Sequence, residues 1–137
     1  MGMTLEIATG IAQAIRDAAA ASPDWEVCGL LLGEPGRVTA LIPAANVAAD
    51  PATTFEIDPA ALLTAHRAAR GGGPAVLGHY HSHPRGPVRP SSADAAASHA
   101  DGALWIIANA ETLGCWRAVA EGPVAGRFVP VSLRFVG

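Results

Sequence analysis

Val76-Leu77-Gly78-His79-Tyr80-His81-Ser82-His83-Pro84 and, a short loop later, Pro90-Ser91-Ser92-Ala93-Asp94 set both the architecture and the chemistry of this 137-residue chain. Val76 to His83 reads as a strand, and alternate residues of a strand face the same side. His81 and His83 therefore present two imidazoles side by side, while Tyr80 and Ser82 face the other way. His79 shares the histidine face one step earlier, as a ligand or as a neighbour. Two imidazoles at this spacing can share one metal ion at roughly 2.0–2.1 Å per bond. Pro84 to Pro90 contains three prolines and has little conformational freedom. It turns the chain back to a helix that opens at Ser91 and runs to about His99. Ser91 suits the N-cap, and Asp94 falls three residues later, a capping-box spacing. A carboxylate there offsets the positive end of the helix and can also bind a cation. Two histidines and an aspartate leave a fourth tetrahedral position open, the pattern of a catalytic zinc site rather than a structural one.

Working outward, Thr9 to Ala21 reads as a helix with Ile11, Ile15 and Ala18 on one face, and Ser22-Pro23-Asp24 ends it. Val27 to Gly33 is an apolar run suited to a buried strand, and Arg37 to Ile42 pairs back across a Pro35-Gly36 turn. Asn46 to Thr54 is a loop, and Phe55-Glu56-Ile57 a short strand. The next helix is punctuated by Asp58 at the N-cap, Pro59 at its first position and Gly71 past its end. Leu62 and Leu63 mark its apolar face, with His66 one turn on as a packing or interface residue. Ala103 to Asn109, Leu113 to Ala120 and Phe128 to Val136 read as three further strands. The expected order, αββ(β)αβαβββ, is that of a single α/β or α+β domain over residues 1–137.

Composition excludes several functions. Half the residues are hydrophobic and 15% are charged, which is incompatible with intrinsic disorder. A net charge of −3 argues against a duplex-binding domain. All nine basic residues are arginine, so no lysine is present for Schiff-base chemistry. Cys28 and Cys115 form no CxxC pair and suit two buried hydrophobes. With no signal-peptide pattern and no apolar run of membrane-spanning length, the expected setting is cytoplasmic, with no membrane partner. Water at a metal needs a general base, and spacing alone does not choose among the remaining carboxylates. Glu26 stands out because it directly precedes an apolar strand and so lies at the lip of the core.

His81-x-His83, seven residues, Ser91, two residues and Asp94 together match the signature spacing of the JAMM (MPN+) zinc metalloproteases. Glu26-Val27-Cys28-Gly29-Leu30-Leu31-Leu32-Gly33 resembles the strand of that family that begins at its catalytic glutamate. Phe55-Glu56-Ile57-Asp58-Pro59 resembles the short prokaryotic members, and the resemblance spans nearly the whole chain. It implies a curved mixed sheet flanked by helices, related to cytidine deaminases. The HxE and PCxxC signatures of a deaminase are absent from the sequence. It further implies Zn²⁺ held by His81, His83 and Asp94, Glu26 as general acid/base, and Ser91 in a hydrogen bond to the oxyanion or to the zinc-bound water. The implied reaction is hydrolysis of an amide or isopeptide bond. Its implied substrate is the Gly-Gly tail of a ubiquitin-like or sulfur-carrier protein, because the chain has little room for the inserted loops of polyubiquitin specialists. A catalytically silent MPN-type scaffold that binds partners is the alternative, although such scaffolds typically lose signature residues retained here. A DNA-repair relative sharing the signature is disfavoured by the acidic charge. Arg85 and Arg89 flank the metal loop and read either as solvated side chains or as partners for a carboxylate.

Overall fold

Residues 3–137 are described by a computed structural model. The elements in chain order are β1 (Met3–Ala8), α1 (Thr9–Ala20), β2 (Cys28–Glu34), β3 (Arg37–Ala44), α2 (Pro59–Arg70), β4 (Ala75–Ser82), α3 (Ser92–Ala97), β5 (Leu104–Ala108), β6 (Leu113–Ala118) and β7 (Phe128–Val136). The strands hydrogen-bond in the order β1-β3-β2-β4-β5-β6-β7, and β1 then pairs in parallel with β7 and closes the barrel. β4 and β5 are also parallel, while β2–β3, β2–β4, β5–β6 and β6–β7 are antiparallel. The expected curved mixed sheet thus curves far enough to meet itself.

Alternation sorts the side chains into three apolar clusters. Leu5 and Ile7 of β1, Leu31 of β2, Tyr80 of β4, and Leu104, Ile106 and Ala108 of β5 face one side, where Ala12 and Ile15 of α1 pack on them. Trp105 and Ile107 of β5 face the other side and join Trp116, Ala118 and Phe128. Leu30 and Leu32 of β2 pack with Ala65 of α2 in a third cluster. All five residues of β5 are buried, which explains its unbroken apolar run, Leu-Trp-Ile-Ile-Ala. Gly78 lies where β4 meets β5, and any Cβ there would collide with the Leu104 carbonyl.

The order differs from expectation at three places. The sequence reading begins with a helix, but β1 precedes it. Thr4 and Glu6 alternate with the fully buried Leu5 and Ile7, and the strand is completed by β3 on one side and by β7, at the far end of the chain, on the other. Phe55-Glu56-Ile57 forms a single bridge, Asn46↔Ile57, rather than a strand. α3 stops at Ala97, because Ser98 turns to an extended conformation with φ −72° and ψ 137°. On α2 the Asp58 cap forms, its carboxylate accepting from Ala60 N at 3.0 Å. However, that helix buries Ala65, whereas Leu62, Leu63 and His66 are exposed. Among the described residues, no helix is long and apolar enough to cross a membrane.

Candidate metal centre

β4 carries His81, and His83 follows one residue past the end of the strand, a residue short of the expected span, where His83 N still donates to the Ala108 carbonyl at 2.9 Å. Ring atom His81 Nε2 lies 3.2 Å from His83 Nε2. Asp94 closes the triangle, with Oδ1 3.1 Å from His81 Nε2 and Oδ2 3.1 Å from His83 Nε2. One ligand atom from each residue lies within 4.8 Å of the others, and all three residues are buried. In a tetrahedral site with bonds of about 2.0–2.1 Å, donor atoms are roughly 3.3 Å apart, so this triangle has the size that zinc requires.

The tautomers explain why a cation fits. The Pro87 carbonyl lies 2.9 Å from His83 Nδ1 and can only accept, so Nδ1 carries a proton. In neutral His83 the Nε2 lone pair then points at the Asp94 carboxylate and at His81. Such convergence is stable only around a proton or a metal ion. Burial opposes a charge on His83, but Asp94 and the Pro87 carbonyl outweigh it and raise its pKa. Burial keeps His81 neutral by lowering its pKa, against the pull of Asp94. Asp94 is pushed upward by burial, but hydrogen bonds from both histidines and from Ser91 N hold it well below the usual carboxylate range.

Ser91 caps α3. Its Oγ accepts from Asp94 N at 3.1 Å, while Ser91 N donates to Asp94 Oδ2 at 2.9 Å. The capping box therefore forms and aims the same carboxylate at the histidines, so cap and ligand geometry coexist. The Ser91 hydroxyl is used as an acceptor here, and its own proton remains available to another group.

Glu26 is 6% exposed, and its Oε1 has no hydrogen-bond partner. Burial lifts its pKa to about 7, with His83 pulling it down and Asp94 pushing it up. Its backbone is pinned on both sides: Glu26 N donates to the Pro51 carbonyl at 2.8 Å, and Asn46 Nδ2 donates to the Glu26 carbonyl at 2.9 Å. Val27 N donates to Ser82 Oγ at 2.9 Å. Asn46 and Ser82 are missed by the sequence reading, which treats one as loop and the other as the back face of β4. A loop asparagine just before a short Phe-Glu-Ile segment carries no signal of long-range pairing.

His79 does not join the donor triangle. Its ring packs edge-on against Trp105 at 4.4 Å, and burial lowers its pKa to about 3. A groove of about 920 Å³ has Phe55, Leu62, His66, His79, Leu104 and Trp105 on its walls, and none of the three donor residues lines it. Arg85 and Arg89 are exposed on the proline loop. Cys28 and Cys115 are free and buried, and burial raises their thiols to about 11 and about 12, with Glu26 adding to the shift on Cys28.

Fold and site together define a class: a small mixed barrel carrying a two-histidine, one-carboxylate donor set beside a buried, unpaired glutamate. Residues 9–119 match the family described as prokaryotic homologs of the JAB domain, and the chain belongs to that family. It is 37% identical over 94 residues to the desampylase of Haloferax volcanii, an alignment covering 67% of this chain and 68% of that protein. It is 37% identical over 93 residues to a Thermus thermophilus protein described as a probable TtuB-protein conjugate cleaving protease. That alignment covers 68% of this chain and 62% of the relative, so the match spans less than two-thirds of the Thermus protein. A JAB1/MPN domain protein from Archaeoglobus fulgidus shares the fold, with a TM-score of 0.58 at 22% identity over 95% of this chain and 96% of that one.

Proposed function

We propose that residues 1–137 form one zinc-dependent isopeptidase domain of the JAMM type, acting in the cytoplasm on the Gly-Gly tail of a ubiquitin-like or sulfur-carrier protein. The observation that carries this reading is the buried donor triangle of His81, His83 and Asp94 beside the unpaired Oε1 of Glu26. The names of the Haloferax and Thermus relatives support the choice of conjugates as substrates.

His81 Nε2, His83 Nε2 and Asp94 would hold the ion. Bound zinc supplies Lewis acidity toward a carbonyl and lowers the pKa of water to near 7. Glu26, raised to about 7 by burial, is matched to accepting a proton near neutrality and passing it to the leaving amine. The Ser91 hydroxyl donates its free proton to the developing oxyanion. Asp94 would stay ionised as a ligand, with Ser91 N donating to its Oδ2 at 2.9 Å. Glycines at the reacting end let the backbone approach without a Cβ clash, and the stiff Pro84–Pro90 loop narrows that approach.

Metal analysis of His81→Ala and Asp94→Ala, paired with a tail-cleavage assay, tests the reading. The purified wild-type protein should carry one zinc, and both variants should lose it. A carrier extended by a short peptide after Gly-Gly should be cleaved, and one with alanine or valine in place of the glycines should resist. Full zinc in both variants would overturn the ligand set, and equal cleavage of the two tails would overturn the substrate.

A further inference from the structure

We infer that Phe55 is the positioning residue for His81, fixing its ring by stacking where a hydrogen bond ordinarily does so. The inference rests on the reading that His81, His83 and Asp94 hold a metal. A metal-binding histidine almost always donates its second ring N–H to a carboxylate or a carbonyl, which fixes both tautomer and ring plane. His83 follows this rule through Nδ1 and the Pro87 carbonyl. His81 does not: its Nδ1 is buried and finds no protein partner. Rotation about the last torsion of histidine is soft, so the plane of His81 needs another constraint.

Phe55 supplies it. The two rings lie 4.1 Å apart between centroids and within 17° of parallel. Trp105 meets the His81 ring edge-on at 5.8 Å and 82°, so the imidazole is held between a flat face and an edge. Phe55 is itself tied down from both sides, with Asn46 Nδ2 donating to the Thr54 carbonyl just before it at 3.0 Å. Glu56 N donates to Asn46 Oδ1, Val47 N donates to the Glu56 carbonyl, and Ile57 bridges to Asn46. Asn46 also holds the Glu26 carbonyl, so one asparagine sets the position of Phe55 and of the buried glutamate. The Phe55 ring therefore stands between the open groove and the ligand, with His81 on one side and His79 at 5.2 Å on another.

Zinc affinity by chelator competition and the visible spectrum of the cobalt-substituted protein test this, on wild type, Phe55→Leu, Phe55→Tyr and His81→Ala. Phe55→Leu keeps bulk but loses the flat face, and Phe55→Tyr keeps it. Phe55→Leu should weaken zinc binding by about 10–100-fold, the range for loss of an orienting partner, while Phe55→Tyr stays within about threefold of wild type. The cobalt d–d bands should change in Phe55→Leu and not in Phe55→Tyr, with apo melting temperatures of both near wild type. If Phe55→Leu does not fold, Phe55→Met carries the same expectation. Wild-type affinity in the leucine or methionine variant, or equal loss in the tyrosine variant, would overturn the inference. A folded wild type that binds neither zinc nor cobalt, or His81→Ala binding as tightly as wild type, would instead overturn the metal-site reading.

Discussion

Replacing Ser91 separates its two roles, because the cap and the hydroxyl proton respond differently to each substitution. In Ser91→Ala the bond from Asp94 N at 3.1 Å is lost, while the bond from Ser91 N to Asp94 Oδ2 at 2.9 Å survives because its donor is backbone. Removing an N-cap side chain costs about 1 kcal/mol when alanine replaces it and only a few tenths when glycine does. Against a total of roughly 7–20 kcal/mol for a chain of this length, neither unfolds the protein. Ser91 already has extended dihedrals, φ −89° and ψ 173°, which glycine, alanine and threonine all adopt. Asp94 keeps its backbone donor in every variant, so metal content should be unchanged. Loss of an oxyanion donor costs about 10²–10³ in turnover. Ser91→Gly and Ser91→Ala should therefore differ in melting temperature but share the same loss of rate, and Ser91→Thr should retain most of both properties. Thermal melts, zinc analysis and initial rates on a Gly-Gly-tailed carrier measure all three. If Ser91→Gly turns over at near wild-type rate, the hydroxyl only caps α3 and the catalytic assignment is wrong.

Glu26→Gln should keep zinc and lose about 10²–10⁴-fold in turnover, since it removes proton transfer without touching the donor triangle; near-native turnover would place the base elsewhere. Thiol blocking under native conditions should leave activity intact while a chelator abolishes it. Thiols lifted to about 11 and about 12 are protonated at neutral pH, and their reactive thiolate forms only as the pH climbs toward those values. Fast alkylation of Cys115 in the folded protein at pH 7 would contradict that. Gly78→Ala should destabilise the fold by about 1–3 kcal/mol or more, because the new Cβ collides with the backbone of β5. A denaturant midpoint equal to wild type would show that β4 and β5 are less tightly paired than described.

The convergence of His81, His83 and Asp94 was legible in the sequence because the three lie close together in the chain. Two-residue periodicity puts His81 and His83 on one face, and a proline-stiffened loop returns the chain to a helix start within eleven residues, leaving little freedom in where Asp94 can lie. The cap residues Asp58, Pro59 and Ser91 were legible for the same reason: capping is a contact over two or three residues. β1 was not, since Leu5 and Ile7 become a strand on finding β3 on one side and, on the other, Leu133 and Phe135 at the far end of the chain. Nor was the weak apolar face of α2, where the short side chain of Ala65 is buried and the two leucines are not.

Local pattern thus determined that His81, His83 and Asp94 converge, which residues cap a helix, and that β2 is a buried strand. Only the tertiary structure decided what surrounds the donors. It brought Asn46 to the Glu26 carbonyl across 20 positions and stacked Phe55 on His81. It also packed His79 against Trp105, outside the donor triangle. These contacts join segments far apart in sequence, and their formation depends on how the barrel closes. That closure is set by the summed burial of seven strands, a property no window of the sequence contains.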